Sequence, residues 1–350
     1  MSYKKSHFQH PSLKRNELGL TYRDYEGSLS TLCAGCGHDA ISAAVVQACH
    51  ELSLPPHRVA KLSGIGCSSK APTYFLGQAH GFNSVHGRMP SVATGANMAN
   101  RDLVYIGMSG DGDTSNIGFG QFAHVIRRQM NMMYIVANNG VYGLTKGQSS
   151  ATAKMGSTSK KGAVNPLADI DLATIAIDMG ATFVARGFSG DTAQLVTLMK
   201  AAMAHRGFAF IDIVSPCVTF NNHKGSGYSF DYFREHAELV NMSDFIPIRE
   251  DILVEVPENE VREVILHDGS MIRLKHVAHE HDETNRLDAL SALHKAHHDD
   301  TVLTGLLYVD PNAEDMHDVL GTAARPLNDL TEKELCPGMS ILDSINNGFR

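Results

Sequence analysis

Short apolar segments alternate with helical patterns through the first two thirds of the chain, and this alternation limits the possible folds. Five segments have the length and apolar content of buried strands: 59–63, 103–108, 132–137, 182–186 and 208–214. Helical patterns are predicted between them at 90–100, 116–129, 167–179 and 191–205. Strands that alternate with helices predict parallel βαβ units in one sheet. We therefore expect an α/β fold with a mostly parallel sheet flanked by helices.

The sequence divides into three predicted parts. Residues 1–30 are polar and lack a clear period, so we expect an arm that lies on this or a partner subunit. Residues 31–230 carry the α/β pattern, in which Asp39 is predicted to cap the first helix. Residues 231–350 are predicted to form an irregular C-terminal extension. Within this extension we predict strands at 252–257 and 271–277 and a helix at 283–298. A long loop is predicted earlier in the chain, at 140–165.

Composition excludes several classes of function. The 350 residues include 30 Lys and Arg against 38 Asp and Glu, a net charge of −8, and Lys and Arg cluster only near the N-terminus. Nucleic-acid binding usually needs a basic face, so it is not expected. No apolar run reaches the roughly 18 residues of a membrane span, and the first residues lack a signal-peptide pattern. We expect a cytoplasmic protein whose six cysteines are ligands or buried thiols.

One strand-end motif has the composition of a diphosphate and metal site. Gly110-Asp-Gly-Asp113 follows one predicted strand, and Asn138-Asn139 follows the next. Glycines allow the backbone to approach a phosphate closely, and the following helix would present its N-terminal N–H groups. Asp111 and Asn139 supply the hard oxygen atoms that Mg²⁺ prefers. Two unrelated turns are the alternative interpretation, which the spacing and the strand context disfavour.

Four cysteines have the positions expected of cluster ligands. Cys33 and Cys36 form a Cys-x-x-Cys pair, whereas Cys67 and Cys217 each follow a predicted strand. This is the ligand count of a [4Fe–4S] cluster, although a four-cysteine zinc site or buried thiols remain alternatives. The other two cysteines are interpreted as a core residue and a bystander: Cys49 and Cys336. Since Cys67 is close to both motifs, a cluster held by it would lie within a short electron-transfer distance of a cofactor bound through its diphosphate.

Together these motifs resemble the β subunits of the 2-oxoacid:ferredoxin oxidoreductases over about residues 20–225, and more weakly beyond. The similar segments are Cys33-Ala-Gly-Cys36-Gly-His, Gly64-Ile-Gly-Cys67-Ser-Ser-Lys70, His86-Gly-Arg88, Ala93-Thr-Gly95, Gly110-Asp-Gly-Asp113, Asn138-Asn-Gly-Val-Tyr-Gly143-Leu-Thr-Lys-Gly-Gln148 and Ser215-Pro-Cys217. The resemblance implies a thiamine diphosphate (TPP)-binding fold. It also implies TPP, Mg²⁺ and a [4Fe–4S] cluster as cofactors.

The resemblance implies roles for individual residues. The implied Mg²⁺ ligands are Asp111, Asn139 and the carbonyl oxygen of Val141. The residues implied to line the diphosphate are Gly110, Gly112, Asp113 and Thr145. Those implied to lie near the thiazolium ring are Ile65, Gly66 and Ser68. The remaining members of the implied cofactor-binding set are Cys67, His86, Gly143 and Leu144.

The implied reaction is oxidative decarboxylation of a 2-oxo acid to an acyl-CoA, in either direction, with electrons passing singly through the cluster to a ferredoxin. Lys70 favours 2-oxoglutarate, because a cation three residues after Cys67 could pair with the distal carboxylate. A surface lysine, or one that neutralises the diphosphate, is the alternative. Leu144 aligns with a pocket-shaping position of the family. His86 and Arg88 would orient the cofactor or a carboxylate, and structural roles for both stay open.

The family takes the glutamate that activates TPP from its α subunit, so this chain would supply half of an active site. We expect an α partner in an (αβ)₂ assembly, with CoA and ferredoxin as further partners. Pyruvate or a broad range of 2-oxo acids is the alternative substrate. A non-redox TPP-dependent decarboxylase or synthase, without a cluster, is the alternative enzyme. An electron-transfer subunit without TPP is the third possibility.

Overall fold

The computed structural model describes residues 10–158, 163–241, 261–265, 271–275, 281–336 and 338–349. The strands in these residues are β1 Val59–Ser63, β2 His80–Asn83, β3 Val104–Gly110, β4 Met132–Asn138, β5 Val141–Tyr142, β6 Gln148–Ser149, β7 Phe183–Phe188, β8 Phe208–Val214, β9 Ala237–Leu239, β10 Val261–Ile265, β11 Met271–Lys275 and β12 Val302–Val309. The α-helices are α1 Gly37–Glu51, α2 Met89–Ala99, α3 Phe119–Arg127, α4 Leu172–Asp178, α5 Thr192–Ala204, α6 Phe230–His236, α7 Arg286–His298, α8 Met316–Leu320, α9 Glu332–Leu335 and α10 Met339–Gly348.

Eight strands form one sheet in the order β2-β1-β3-β4-β8-β7-β12-β9. The six strands from β2 to β7 in this order are parallel to their neighbours, and β12 runs antiparallel to β7. Every residue of β4 and β8 is buried, as expected for strands covered by helices on both faces. The prediction of a mostly parallel sheet flanked by helices is confirmed.

The core is divided by the sheet into two layers, because successive side chains of a strand point to opposite faces. On β4, Tyr134 packs in the layer formed with α2, α3, α4 and α7. The next residue, Ile135, packs in the layer formed with α1 and α5. The sheet is therefore rigidly held from both sides, and its strand ends are well placed to support a site.

Individual element predictions differ in their outcome. The predicted strands 59–63 and 208–214 coincide with β1 and β8. The prediction that Asp39 caps the first helix is wrong, since α1 begins at Gly37 with Cys36 as its N-cap residue. Asp39 lies in the first turn of α1, where a carboxylate interacts favourably with the helix dipole.

The C-terminal extension contributes more regular structure than its sequence indicated. Its strands β9 and β12 join the main sheet, and α7 begins after the N-cap residue Asn285. The predicted strand at 271–277 overlaps β11, which pairs with β10. The predicted strand at 252–257 lies outside the described residues. The predicted loop at 140–165 contains the short β5–β6 hairpin.

The described part of the N-terminal arm packs on this chain. Tyr25 is completely buried, and its hydroxyl accepts a hydrogen bond of 2.8 Å from the side chain of Asn16. The same Asn16 amide donates to the carbonyl oxygen of His50 in α1 at 3.0 Å. These contacts fix the arm against the helix that follows Cys36. Among the described residues, no helix combines the length and apolar content that crossing a bilayer requires.

Candidate active site

A cavity lies at the carboxyl ends of β1, β3 and β4. All of the residues that the resemblance assigned to cofactor binding line this cavity. They meet because the carboxyl ends of parallel strands lie at one edge of the sheet, where α/β proteins bind ligands. Three residues absent from the predicted set also line it: His38, Ala137 and Tyr142.

Asp111 is the first residue after β3 and is only 2% exposed. Its Oδ2 atom accepts hydrogen bonds from the hydroxyl groups of Ser150 and, at 3.1 Å, Thr152. Burial raises the pKa of Asp111 to about 6, although these hydrogen bonds act in the opposite direction. Its hydrogen-bond partners in the described part of the chain are all neutral. A buried carboxylate without a cationic partner is costly, so this position is suited to a bound cation.

Asn139 lies beside Asp111, and its backbone N–H points at Oδ1 of Asp111 across 3.5 Å. The side-chain oxygen of Asn139 accepts a hydrogen bond of 3.1 Å from the N–H of Val141. Gly140 between them has a φ of +69°, a conformation that favours glycine. The segment therefore turns tightly and places the Asn139 amide beside the Asp111 carboxylate. This donor set of hard oxygens fits Mg²⁺.

Gly110 and Gly112 give the turn after β3 its close packing. A Cβ atom at Gly110 would lie 2.8 Å from the hydroxyl oxygen of Ser68, and one at Gly112 would lie 2.5 Å from the ring of Tyr142. The Tyr142 hydroxyl donates to the carbonyl oxygen of Gly112 at 3.0 Å. A single π-helical turn, Gly112–Ile117, follows, and such turns are frequent at functional sites. The glycines thus keep this side of the cavity open.

Asp113 lines the cavity, but its carboxylate is held by the protein. The backbone N–H of Gly87 donates to Oδ1 at 2.8 Å, and the Ser109 hydroxyl donates to Oδ2 at 2.6 Å. The Nδ1 atom of His86 lies 2.5 Å from Oδ1. Asp113 therefore joins the loop that carries His86 to the end of β3, an anchoring position that the sequence did not indicate.

The four cysteines predicted to bind a cluster come together beside the cavity. The Sγ atoms of Cys67 and Cys217 both lie within 4 Å of the point that a Cβ at Gly143 would occupy. Cys33 Sγ accepts a hydrogen bond of 3.5 Å from Thr219, two residues beyond Cys217. Burial raises the pKa of the Cys36 thiol to about 11, and the nearby Cys217 and Cys33 raise it as well. Thiols that raise each other's pKa need a cationic centre to hold them as thiolates.

The kind of centre follows from the spacing of the thiols. Zinc needs four sulfur atoms at about 2.3 Å from one ion, whereas four cysteines can hold a [4Fe–4S] cluster over a wider space. In the described ranges, no three His, Cys, Asp or Glu side chains are grouped closely enough to hold one metal ion. Cys49 is fully buried in the core and Cys336 is exposed.

The residues predicted to contact the substrate are less enclosed. Lys70 and Arg88 are exposed and lie outside the cavity lining. Lys70 is nevertheless close enough to Cys67 to lower the pKa of its thiol, against the larger raising effect of burial. Leu144 lines the cavity with 54% of its surface exposed. In this chain alone, Leu144 borders the cavity at an exposed position, whereas Lys70 and Arg88 lie outside its lining.

His38 is a buried residue of the cavity wall that the prediction missed. Its Nδ1 atom lies 2.8 Å from the hydroxyl of Ser215, which joins the Cys33–Cys36 segment to the one that carries Cys217. Burial lowers the pKa of His38 to about 4, so the imidazole is neutral near pH 7. The only sign of this role in the sequence was the position of His38 two residues after Cys36, in Cys-Gly-His.

Comparison with known proteins agrees with this geometry. Residues 64–213 match the family described as thiamine pyrophosphate enzyme, C-terminal TPP binding domain. A "2-oxoacid:ferredoxin oxidoreductase subunit beta" of Sulfolobus sp is 41% identical over 240 residues, which are 67% of this chain and 74% of that protein. The chain belongs to the β subunits of the 2-oxoacid:ferredoxin oxidoreductases. The "2-oxoglutarate synthase subunit KorB" of Methanocaldococcus jannaschii is 36% identical over 66% of this chain and 80% of that protein.

A solved structure with a similar fold extends the comparison over nearly the whole chain. It is a 2-oxoglutarate:ferredoxin oxidoreductase from Magnetococcus marinus with 2-oxoglutarate, coenzyme A and succinyl-CoA bound. The TM-score is 0.71 at 28% identity, and the match covers 96% of this chain and 99% of that one. Across curated β-subunit relatives, the aligned part spans between 53% and 80% of the relative's length, and less than two thirds in several.

Proposed function

We propose that this β subunit binds Mg²⁺–TPP and one [4Fe–4S] cluster. With an α partner, it would convert 2-oxoglutarate and CoA to succinyl-CoA, CO₂ and one proton while two electrons pass singly to a ferredoxin. The observation that carries the proposal is the position of Cys67. This residue lines the cavity that contains Asp111 and Asn139, and its sulfur lies beside that of Cys217. One residue thus borders both cofactor sites.

The cofactor chemistry assigns distinct tasks to the two sites. Bound TPP supplies an electron sink for the carbanion that forms when the 2-oxo acid loses CO₂. Asp111 and Asn139 would hold the cation that neutralises the diphosphate, and Gly110 and Gly112 allow the close approach. The four cysteines would hold a one-electron carrier on the other side of Cys67. This arrangement supports oxidation one electron at a time. A TPP enzyme without a cluster lacks this one-electron carrier.

The cavity supports the need for a second subunit. Its carboxylates, in the described part of the chain, are Asp111 and Asp113. Asp113 is fully engaged by its neighbours, and Asp111 is assigned to the cation. An acidic group that protonates or deprotonates the aminopyrimidine would therefore come from the α partner, in an (αβ)₂ assembly. Exposure of Leu144 at the edge of the cavity is consistent with a surface that the partner covers.

For the substrate, we propose 2-oxoglutarate. Lys70 acts on the thiol of Cys67, a residue of the cavity lining, and a lysine near the cavity could pair with a distal carboxylate. The relatives named above include a 2-oxoglutarate synthase subunit and a 2-oxoglutarate:ferredoxin oxidoreductase. Pyruvate or a broad substrate range is the second candidate, favoured by the relative that is named only for 2-oxo acids.

The test is an anaerobic purification of the chain with its α partner, followed by assays of ferredoxin reduction. We expect reduction that requires a 2-oxo acid, CoA, TPP and Mg²⁺ together, and a kcat/KM at least tenfold higher for 2-oxoglutarate than for pyruvate. Equal or reversed values would replace the substrate assignment. Absence of iron and acid-labile sulfide from the oxygen-protected complex would leave a non-redox TPP enzyme as the function.

An Asp111→Ala variant separates the two cofactors. We expect it to lose Mg²⁺-dependent TPP binding while it keeps its iron and sulfide, because Asp111 does not belong to the cysteine set. TPP binding equal to that of the wild type would contradict the metal assignment.

A further inference from the structure

A buried ion-pair network lies next to the candidate active site, at the carboxyl ends of β7 and β8. The guanidinium of Arg186 contacts the carboxylates of both Asp171 and, at 3.0 Å, Asp212. Arg186 is 8% exposed and Asp212 is 2% exposed. Two carboxylates share one guanidinium, and burial raises the pKa of Asp212 although Arg186 acts in the opposite direction. Such a group is costly to bury.

Asn138, the last residue of β4, connects this network to the cavity. Its side-chain N–H donates to Oδ1 of Asp212 at 3.0 Å, and its side-chain oxygen accepts from the Thr152 hydroxyl at 2.9 Å. A carboxylate only accepts hydrogen bonds, so Asp212 fixes the orientation of the amide. Asn138 must then present its oxygen, and not its nitrogen, to Thr152.

Thr152 carries the connection to Asp111. Its hydroxyl lies 3.1 Å from Oδ2 of Asp111 and 2.9 Å from the hydroxyl of Ser150, which also donates to Oδ2. The carbonyl oxygen of Thr152 accepts from Tyr228 at 2.9 Å, which holds the residue in place. Ser150 donates to Oδ2 of Asp111, whereas the single hydroxyl proton of Thr152 faces both Oδ2 of Asp111 and Oδ1 of Asn138. The described partner of the other Asp111 oxygen, Oδ1, is the distant N–H of Asn139 at 3.5 Å.

From this geometry we infer that Thr152 is a positioning residue for Asp111, and that the Asn138 amide, fixed by Asp212, competes with Asp111 for the Thr152 proton. The hydroxyls of Ser150 and Thr152 hold Oδ2 and leave Oδ1 directed at a cation. The inference rests on the proposed function, since it assigns Asp111 to Mg²⁺. Groups that orient a metal ligand typically change metal affinity by about 10- to 100-fold when removed. Asp212 does not line the TPP cavity, and its hydrogen bond to Asn138 connects it to Thr152.

The experiment measures the Mg²⁺ concentration that gives half-maximal TPP binding to the complex of this chain with its α partner. Thr152→Val keeps the shape of the side chain and removes the hydroxyl, and we expect the midpoint to rise about 10- to 100-fold. Thr152→Ser restores the hydroxyl and should bring the midpoint back to within threefold of the wild type. A merely structural role for Thr152 would not produce this rescue.

Thr182→Val is the matched control. Thr182 is also a buried threonine whose hydroxyl is hydrogen-bonded, at 2.9 Å to His205, but it lies at the start of β7, away from the cavity. We expect it to change thermal stability and to leave the Mg²⁺ midpoint unchanged. A midpoint that is unaffected by Thr152→Val, or one that shifts equally in Thr182→Val, would overturn the inference.

Asp212→Asn tests whether the Asn138 amide competes for the Thr152 proton. Once released, the amide can turn its nitrogen to Thr152 and leave the hydroxyl proton to Asp111, so we expect the midpoint to stay at the wild-type value or to fall, and a raised midpoint would contradict the competition. Adding Asp212→Asn to Thr152→Val should have no further effect, since both changes act through the Thr152 hydroxyl, and multiplied effects would contradict that connection. If TPP binding to the wild-type complex does not depend on Mg²⁺, the proposed function is refuted. If only the inference fails, the wild type still shows Mg²⁺-dependent binding and only the comparison among the variants changes.

Discussion

The carboxylate of Asp113 occupies the space that a side chain at Gly64 would need. A Cβ atom built at Gly64 would overlap Oδ2 of Asp113. Gly64 follows β1 directly, and Asp113 belongs to the turn after β3, the neighbouring strand. The absent side chain allows this carboxylate to reach Ser109, His86 and the loop at the cavity wall.

We expect Gly64→Ala to displace Asp113 and to lower the free energy of unfolding by about 1–3 kcal/mol, the usual cost of overpacking. TPP affinity should fall as well, because Asp113 anchors the loop that carries His86. Urea unfolding and TPP titration of the αβ complex measure the two effects. Gly120→Ala is the control, since no atom lies within 4 Å of its Cβ position in α3. That change should raise the free energy of unfolding by about 0.5–1 kcal/mol, and equal effects at both positions would contradict the steric argument.

The cluster assignment predicts a sharp difference between cysteines. Cys67→Ser should lower the iron and sulfide content per complex, because a serine hydroxyl is a poor replacement for a thiolate on iron. Cys49→Ser should keep the wild-type content, since the Cys49 sulfur packs in the core, 3.8 Å from that of Met203. Iron and acid-labile sulfide are measured after anaerobic purification. Full iron content in Cys67→Ser would remove this residue from the ligand set.

The substrate assignment makes Lys70 a test of specificity. We expect Lys70→Met to raise the KM for 2-oxoglutarate at least tenfold and to change the KM for pyruvate little, because pyruvate has no distal carboxylate. Steady-state ferredoxin reduction with each acid gives both constants. Lys295→Met, an exposed position on α7, should change neither. An equal rise of the two KM values in Lys70→Met would favour a role in neutralising the diphosphate.

His205 gives a prediction about pH. Burial lowers its pKa to about 4, although Asp310 acts in the opposite direction, while the ordinary value for unfolded chains is near 6.5. Between these values the unfolded chain binds more protons than the folded one. The free energy of unfolding contributed by this residue therefore falls as the pH falls from about 6.5 to 4. Urea unfolding at pH 6.5 and 4.5 should show a smaller loss for His205→Gln than for the wild type.

His57→Gln is the control for this pH effect, because His57 is exposed. It should lose as much stability as the wild type over the same interval. If His205→Gln did the same, the buried histidine would have no part in the acid response.

The features that could be predicted from the sequence are those that depend on residues close together in the chain. The strands β1 and β8 are mostly apolar and end at glycine or Ser-Pro-Cys turns, so their bounds were visible. The cavity lining was found through short motifs, each of which stays together in the fold. Asp39 was misplaced as a cap because Cys36, a less favoured capping residue, starts the helix earlier.

Contacts between distant segments could not be predicted. Asp212 and Asn138 lie 74 residues apart and meet only because β4 and β8 pair in a particular register. The strand β12 was missed because its antiparallel pairing with β7 joins segments more than a hundred residues apart. Its apolar pattern alone, at the end of a long region of mixed composition, does not reveal a partner.

The position of β12 also affects how this protein can be handled. β12 covers one edge of β7, Phe183–Phe188, which would otherwise expose a row of unpaired backbone groups beside an apolar core. Open strand edges of this kind recruit other chains and lead to aggregation. A fragment cut at residue 230, where the motifs end, would keep every predicted ligand and lose this cover. The extension thus protects the catalytic half of the chain from self-association.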